Sequence, residues 1–192
     1  MDEKSLVTNL KDGSEHAFRH LVELFQDKVF NTVLAIIQNL EEAEDISQEV
    51  FIEIYESIKK FRGDAKLSTW IYRIATTKAL EAYRKKKAAK RFAFFTSLFG
   101  EDNEAMHHPP TFEHPGIILE NKEKGKILFK AIDQLPEKQK VAFTLCNIEG
   151  LSYQEITEIM QVSLSSVESL IFRAKAGLQK TLKDYYTNQE LK

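Results

Sequence analysis

Residues 17–38 read AFRHLVELFQDKVFNTVLAIIQ, and their apolar side chains recur every three or four positions. This spacing places the apolar side chains on one face of an α-helix. A second amphipathic run follows, and its apolar stripe consists of Ile46, Val50, Phe51, Ile54, Tyr55 and Ile58. After Gly63 a third helical pattern begins and passes through Trp70, Ile71, Ile74, Ala75 and Ala79. No stretch alternates convincingly with a period of two, so the sequence predicts an all-α fold.

The C-terminal part contains two candidate helix starts. Ser152 to Glu155 read SYQE, which is the pattern of a capping box, and Ser165 to Glu168 read SSVE, which fits the same pattern. Each start precedes an apolar stripe at helical spacing. Two short capped helices this close together predict a helix-turn-helix.

The segment 92–125 differs from its surroundings. It holds Pro109, Pro110 and Pro115, and prolines at this density resist a helix. We therefore predict two small helical domains, 1–91 and 126–192, joined by a flexible linker over 92–125. The linker begins with an apolar patch at 92–99, which either extends the preceding helix and packs on its own domain or inserts into a partner. Its three histidines have no regular helical spacing and no cysteine beside them, so no metal site is expected at His107, His108 and His114.

Charge is distributed in blocks along the chain. Residues 59–91 hold twelve Lys or Arg against two acids, whereas the whole chain has a net charge of −2. A block of this kind is typical of contact with a nucleic-acid backbone, although a solvated basic helix face has the same composition. Residues 1–58 are strongly acidic, so this part is expected to face water or a protein partner.

Individual residues of the basic block can be given roles. Six cations can neutralise phosphates, and these are Arg62, Lys66, Arg73, Lys78, Arg84 and Lys85. Trp70 is assigned mainly to packing because it aligns with Ile74 along a helix. Phe61 and Tyr72 then remain as surfaces on which unpaired bases could stack.

The second helix of a helix-turn-helix lies in the major groove. Its predicted DNA-contacting residues are Ser165, Ser166, Glu168, Ser169, Phe172, Arg173 and Lys175. The carboxylate of Glu168 can accept a hydrogen bond from cytosine N4, or it can simply complete the capping box. Helix pairs of this kind also occur in proteins that never touch DNA.

The remaining composition limits the function classes. A single cysteine allows no internal disulfide, which fits a reducing compartment. The first residues are acidic and lack the apolar core of a signal peptide, and the apolar runs are far shorter than a membrane span. We expect a cytoplasmic protein without membrane insertion, without a small-molecule substrate, and without a cofactor.

Taken together, these blocks resemble bacterial RNA polymerase sigma factors of the extracytoplasmic-function group. The polymerase-binding region of that family resembles EEAEDISQEVFIEIYESIKKF at 41–61, and its promoter-melting region resembles 61–87. Its C-terminal DNA-binding region resembles 135–180. The resemblance implies a non-catalytic, dissociable specificity subunit that binds core polymerase through Asp45, Gln48 and Glu49.

The resemblance also assigns the two DNA contacts. The minus-ten promoter element would be bound and opened by the residues named above in the basic block, together with Thr77, and the minus-thirty-five element by the helix-turn-helix. Thr77 stands where the family commonly has Asn, and Gln161 stands at a turn position that is commonly Gly. An anti-sigma factor is implied as a further partner.

Two other classes of function compete with this interpretation. A stand-alone helix-turn-helix regulator would be a dimer on palindromic duplex sites. A protein-binding module would use the basic block only as a solvated surface.

Overall fold

The computed structural model describes residues 2–99 and 122–189, with side chains over 2–92 and 127–183. Within these ranges the chain is helical and has no β-strand, which confirms the predicted all-α fold. The helices are α1 (Glu3–Lys11), α2 (Glu15–Ile37), α3 (Leu40–Ser57), α4 (Leu67–Phe99), α5 (Lys122–Asp133), α6 (Glu137–Phe143), α7 (Tyr153–Met160) and α8 (Leu164–Gln189). A 3₁₀ turn follows α3, and a π-helical turn over Thr144–Ile148 follows α6.

Helices α1–α4 form the N-terminal domain, in which α2 is the central element and contacts the other three. The stripe read from residues 17–38 is buried at Leu21, Val29 and Val33. The sequence placed Tyr55 in the buried stripe of α3, and this prediction is wrong, because 58% of Tyr55 is exposed. Its ring meets that of Phe18 edge-on, at 5.2 Å between centroids, and the buried stripe of α3 is narrower than the sequence suggests.

A sharp reversal joins α2 to α3. Gln38 ends α2 in the left-handed conformation, with φ of 60°, and its amide donates to the carbonyl of Leu34. Asn39 then caps α3, since its side-chain oxygen accepts from the amide of Glu42 at 2.8 Å. Local capping of both helix ends satisfies backbone groups that the reversal would otherwise leave without partners.

Helix α4 crosses the predicted boundary at residue 91 and continues to Phe99, and α5 already begins at Lys122. Both ends of the segment 92–125 are therefore helical. The helical backbone over 92–99 supports the interpretation in which the phenylalanine patch extends the preceding helix. The three prolines and three histidines of this segment lie outside the described residues.

Helices α5–α8 form the C-terminal domain, and α7 and α8 are the predicted helix-turn-helix. The capping box of α7 is present, with Ser152 Oγ accepting from the amide of Glu155 and Glu155 accepting from the amide of Ser152. The second predicted box is wrong. Helix α8 begins at Leu164, and its first turn is capped by Ser163, whose Oγ accepts from the amide of Ser166 at 3.3 Å.

The two domains pack against each other. One continuous cluster of buried apolar side chains includes Leu21 and Ile71 from the N-terminal domain and Leu145, Ile156 and Ile171 from the C-terminal domain. Helix α4 contacts α7, and α2 contacts α5, α6 and the π-helical turn. Over the described part of the chain, no helix is both long and apolar enough to span a bilayer.

Candidate polymerase and nucleic-acid interfaces

Helix α3 presents an outward face of mixed chemistry. Asp45, Gln48 and Glu49 are exposed there, as expected for a protein-binding surface. Ile52 and Tyr55 follow on the same helix, and each is 58% exposed. Because residues three and four apart are neighbours on a helix, the acidic and apolar side chains form one surface. Ile52 and Tyr55 are not among the residues predicted for this surface.

A groove of about 440 Å³ lies between α3 and α4 in the basic block. It is lined by Glu53, Trp70, Arg73, Ile74, Thr77, Lys78 and Glu81. Thr77 is exposed at this groove, so a ligand in the groove would meet its hydroxyl group. Lys78 is only 25% exposed, and its Nζ lies 3.9 Å from Glu49 and 3.8 Å from Glu53. These carboxylates compete with any phosphate for the same ammonium group.

The two aromatic residues proposed for base stacking are both buried in this arrangement. Phe61 is 7% exposed, and its ring packs against Trp70 at 5.2 Å between centroids. Tyr72 is 3% exposed, and its hydroxyl donates to Glu149 Oε2 at 2.8 Å. Burial and the neighbouring carboxylate raise the pKa of Tyr72, so its hydroxyl remains a donor. A base could reach Tyr72 only after the C-terminal domain had moved away.

The six predicted phosphate contacts divide into three groups, one of which is Lys78 with its partners Glu49 and Glu53. Arg62 and Lys85 are exposed, and Arg62 is paired only with its neighbour Asp64 at 3.3 Å. Three other cations bind the C-terminal domain. Their contacts are Lys66 Nζ to Glu155 Oε1 at 3.1 Å, Arg84 Nε to Glu137 Oε2 at 2.8 Å, and Arg73 Nε and Nη2 to the carbonyl oxygen of Glu158 at 2.9 and 2.7 Å.

The helix-turn-helix presents its second helix to solvent. Of its seven predicted DNA-contacting residues, the exposed ones are Ser165, Glu168, Phe172, Arg173 and Lys175, and the partly covered ones are Ser166 and Ser169. Phe172 is 75% exposed, which is unusual for a ring of this size. A groove of about 330 Å³ at the start of α8 is lined by Lys138, Val162, Ser165, Ser166, Ser169, Leu170 and Arg173. Lys138 comes from α6 and was missed, since no sequence pattern links it to α8.

Glu168 does not complete a capping box, because the cap of α8 is Ser163 and not Ser165. Its exposed carboxylate remains available for other contacts. Gln161 ends α7 in the left-handed conformation, with φ of 54°, and this geometry explains why glycine suits that turn. Among the described residues, no cluster of His, Cys, Asp or Glu is arranged to hold a metal ion.

Comparisons with known proteins identify the family of each half of the chain. Residues 21–89 match the family model of sigma-70 region 2, and residues 126–178 match that of sigma-70 region 4. The chain is 33% identical to the RNA polymerase sigma-H factor of Pseudomonas aeruginosa, covering 94% of this chain and 93% of the relative. It is 32% identical to the ECF RNA polymerase sigma factor SigW of Bacillus subtilis, covering 94% and 97%.

Solved structures show the same fold. CnrH in complex with the cytosolic domain of CnrY superposes with a TM-score of 0.69 at 19% identity, covering 95% of this chain and 97% of that chain. The sigma factor RpoE of Bartonella quintana, in complex with the anti-sigma factor NepR, gives a TM-score of 0.62 at 19% identity, covering 86% and 96%. With both sigma regions in order along the chain and full-length relatives above 30% identity, this protein belongs to the extracytoplasmic-function group of RNA polymerase sigma factors.

Proposed function

We propose that this chain binds core RNA polymerase, directs it to a specific set of promoters and assists DNA melting at initiation. The observation that carries the proposal is the match to regions 2 and 4, in that order along the chain. Sigma factors are non-catalytic subunits of RNA polymerase, and we propose the same for this chain. We also propose that the chain acts in the cytoplasm, together with core RNA polymerase.

The α3 face is the proposed contact with core polymerase. Asp45, Gln48 and Glu49 supply charge and hydrogen-bonding groups, while Ile52 and Tyr55 supply apolar area. Interfaces commonly combine an aromatic or aliphatic centre with a polar rim. This composition favours a protein partner over DNA, because the carboxylates would repel a phosphate backbone.

The groove beside Thr77 and the cations around it are the proposed minus-ten site. Cations near the groove would hold the strand, and the groove would receive a base extruded from the stack. Thr77 offers one hydroxyl where an Asn side chain would offer both a donor and an acceptor. The preferred minus-ten sequence is therefore expected to differ from that of relatives with Asn.

Helix α8 is the proposed reader of the minus-thirty-five element. Its first turns carry Ser165, Glu168 and Phe172 toward the bases, and Arg173 and Lys175 follow as phosphate contacts. The thymine methyl group is a suitable partner for the exposed ring of Phe172.

An anti-sigma factor is the proposed inhibitor of this chain. The proposal draws on the RpoE structure named above, which holds an anti-sigma factor. Phe92 and Phe172 are 73% and 75% exposed, and rings of this kind are suitable anchors for such a partner.

The proposal is tested by measuring the affinity of the purified chain for core polymerase. Gln48→Arg combined with Ile52→Asp should weaken binding at least tenfold, because it alters both components of the α3 face. Glu23→Arg on α2 is the matched control, because Glu23 is exposed and lies outside the proposed site. Equal affinity for all three proteins would refute the α3 contact. A dimer that bound palindromic duplex DNA tightly without polymerase would favour a stand-alone regulator.

A further inference from the structure

We infer that the C-terminal domain is an intramolecular cover of the minus-ten surface, and that promoter DNA must displace it. This inference rests on the proposed function of that surface. It concerns a closed arrangement of the free chain, in which the C-terminal domain and DNA compete for the same side chains.

The interdomain contacts fall on the residues assigned to the minus-ten element. Lys66, Arg73 and Arg84 all bind groups of the C-terminal domain, and Tyr72 is covered by it. Each of the three cations meets a negative partner, either a carboxylate or a carbonyl oxygen. The C-terminal domain therefore supplies these cations with negatively charged or polarised oxygen atoms, as a phosphate backbone would. The domain and the DNA cannot occupy the same cations at once.

The contact of Arg73 with the end of α7 is favourable in both charge and geometry. Its guanidinium donates from Nε and Nη2 to the carbonyl of Glu158, in the last turn of α7. The last carbonyls of a helix have no partner within the helix and carry the negative end of its dipole. A cation here is stabilised by the fold itself, and the contact does not depend on the side chain of residue 158.

Lys140 connects the two domains at a second point. This residue is fully buried, and its Nζ lies 4.2 Å from the centroid of the Tyr83 ring. The same Nζ donates to Asp133 at 2.7 Å and to the carbonyl of Ile36 at 3.5 Å. Lys140 and Asp133 belong to the C-terminal domain, whereas Tyr83 and Ile36 belong to the N-terminal domain. Burying an ammonium group is costly unless such partners are in place, so this geometry exists only while the domains remain together.

The cover is selective. The α3 face and the outward residues of α8 remain exposed in the closed arrangement. Two of the three proposed contact surfaces are therefore accessible. The minus-ten surface is covered at Lys66, Tyr72, Arg73 and Arg84, while its groove at Thr77 stays open. A closed chain can present its polymerase-binding face and its minus-thirty-five reader before the minus-ten surface opens.

The first experiment measures closure without DNA. Spin labels at Asp12→Cys and Lys180→Cys, in a Cys146→Ser background, report the distance between the domains by double electron–electron resonance. A narrow distribution is expected for the otherwise wild-type chain. The double variant Glu137→Lys, Glu149→Lys should broaden the distance distribution. Both carboxylates bind side chains of the N-terminal domain, and the variant reverses the charge of each. Tyr83→Leu provides a second opening variant, and circular dichroism confirms that each variant is folded.

The second experiment measures the covered surface with unlabelled proteins and fluorescein-tagged single-stranded DNA 12-mers of random sequence. Apparent affinity falls in proportion to the open fraction, so a chain that is open one time in ten gains about tenfold when the cover is removed. Glu137→Lys with Glu149→Lys should therefore bind more tightly than the charge-matched control Asp12→Lys with Glu23→Lys. The control corrects for the added positive charge.

A broad distance distribution in the wild-type chain would overturn the inference, and so would equal DNA affinity of the opened variant and its control. Narrow wild-type distances together with a selective gain in affinity would support it. Neither result depends on promoter-specific transcription, which is measured separately with polymerase. Failure of the cover is thus distinguishable from failure of the proposed function.

Discussion

The contact between Lys140 and Tyr83 offers a quantitative test of domain packing. The perturbations are Lys140→Met and Tyr83→Leu, each alone and in combination. A single change has opposing effects on the free energy of unfolding. Removing the buried charge removes its desolvation cost, but the contacts with its partners are lost as well. The coupling energy of the double-mutant cycle isolates the contact between the two side chains.

The structure sets the size of this coupling. A desolvated ammonium group over an aromatic face contributes about 2 kcal/mol, and Nζ lies 4.2 Å from the Tyr83 centroid with no exposed surface on Lys140. With a urea m-value of about 2–3 kcal/mol/M, that coupling corresponds to about 0.7–1 M in the unfolding midpoint.

The assay is urea unfolding followed by circular dichroism and by the fluorescence of Trp70, the chain's single tryptophan, which lies in the N-terminal domain. Lys140→Met should shift the Trp70-detected transition although residue 140 lies in the other domain. Lys138 is exposed on the same helix, so the effects of Lys138→Met and Tyr83→Leu on the free energy of unfolding should add. A coupling near zero between Lys140 and Tyr83, or a Trp70 transition that does not respond to residue 140, would refute domain packing in the free chain.

Three further outcomes are expected. Gln161→Gly should stabilise the chain by about 1 kcal/mol in urea unfolding, because φ of 54° strains a residue with a β-carbon, and an unchanged midpoint would contradict this. Burial in the closed state raises the pKa of Glu149, although Tyr72 and Lys28 act in the opposite direction. Protonation of Glu149 therefore favours the closed state, and the closed fraction should increase as pH falls from neutrality towards that raised pKa. Interdomain distances should show this trend, and Glu149→Gln should lose it. Lys175→Ala should weaken polymerase-dependent duplex binding and reduce its salt slope by about one, and an unaltered slope would remove Lys175 from the phosphate contacts.

The helices could be predicted from the sequence because their signals are local. The apolar stripe at 17–38 and the capping box at 152–155 each depend on residues within a few positions of one another. Local signals were weaker where two options competed. Ser163 and Ser165 are both suitable caps, and the neighbouring contacts that select Ser163 are not visible in the residue pattern.

Exposure was harder to predict than helicity. Tyr55 lies at a spacing compatible with the buried stripe of α3, yet more than half of it is exposed. The exposure of a side chain at the edge of a stripe depends on how closely the neighbouring helices pack, which the spacing of apolar residues does not reveal. This difference concealed the apolar half of the proposed polymerase surface.

The interdomain contacts could not be predicted at all. Lys66 and Glu155 are 89 positions apart, and Tyr72 and Glu149 are 77 apart. No periodicity or motif connects residues at such separations. The cations of the basic block were predicted to contact phosphates, and three of them bind groups of the C-terminal domain in the free chain. Composition alone does not distinguish a phosphate from a carboxylate of the same chain.

The central claim is that this chain directs RNA polymerase to promoters. The most direct measurement is transcription in vitro with core polymerase and a library of genomic fragments, with and without the purified protein. We expect new, discrete start sites that appear only when the protein is present and are lost in the Gln48→Arg, Ile52→Asp double variant. The absence of any added initiation by the folded protein, free of bound inhibitor, would contradict it.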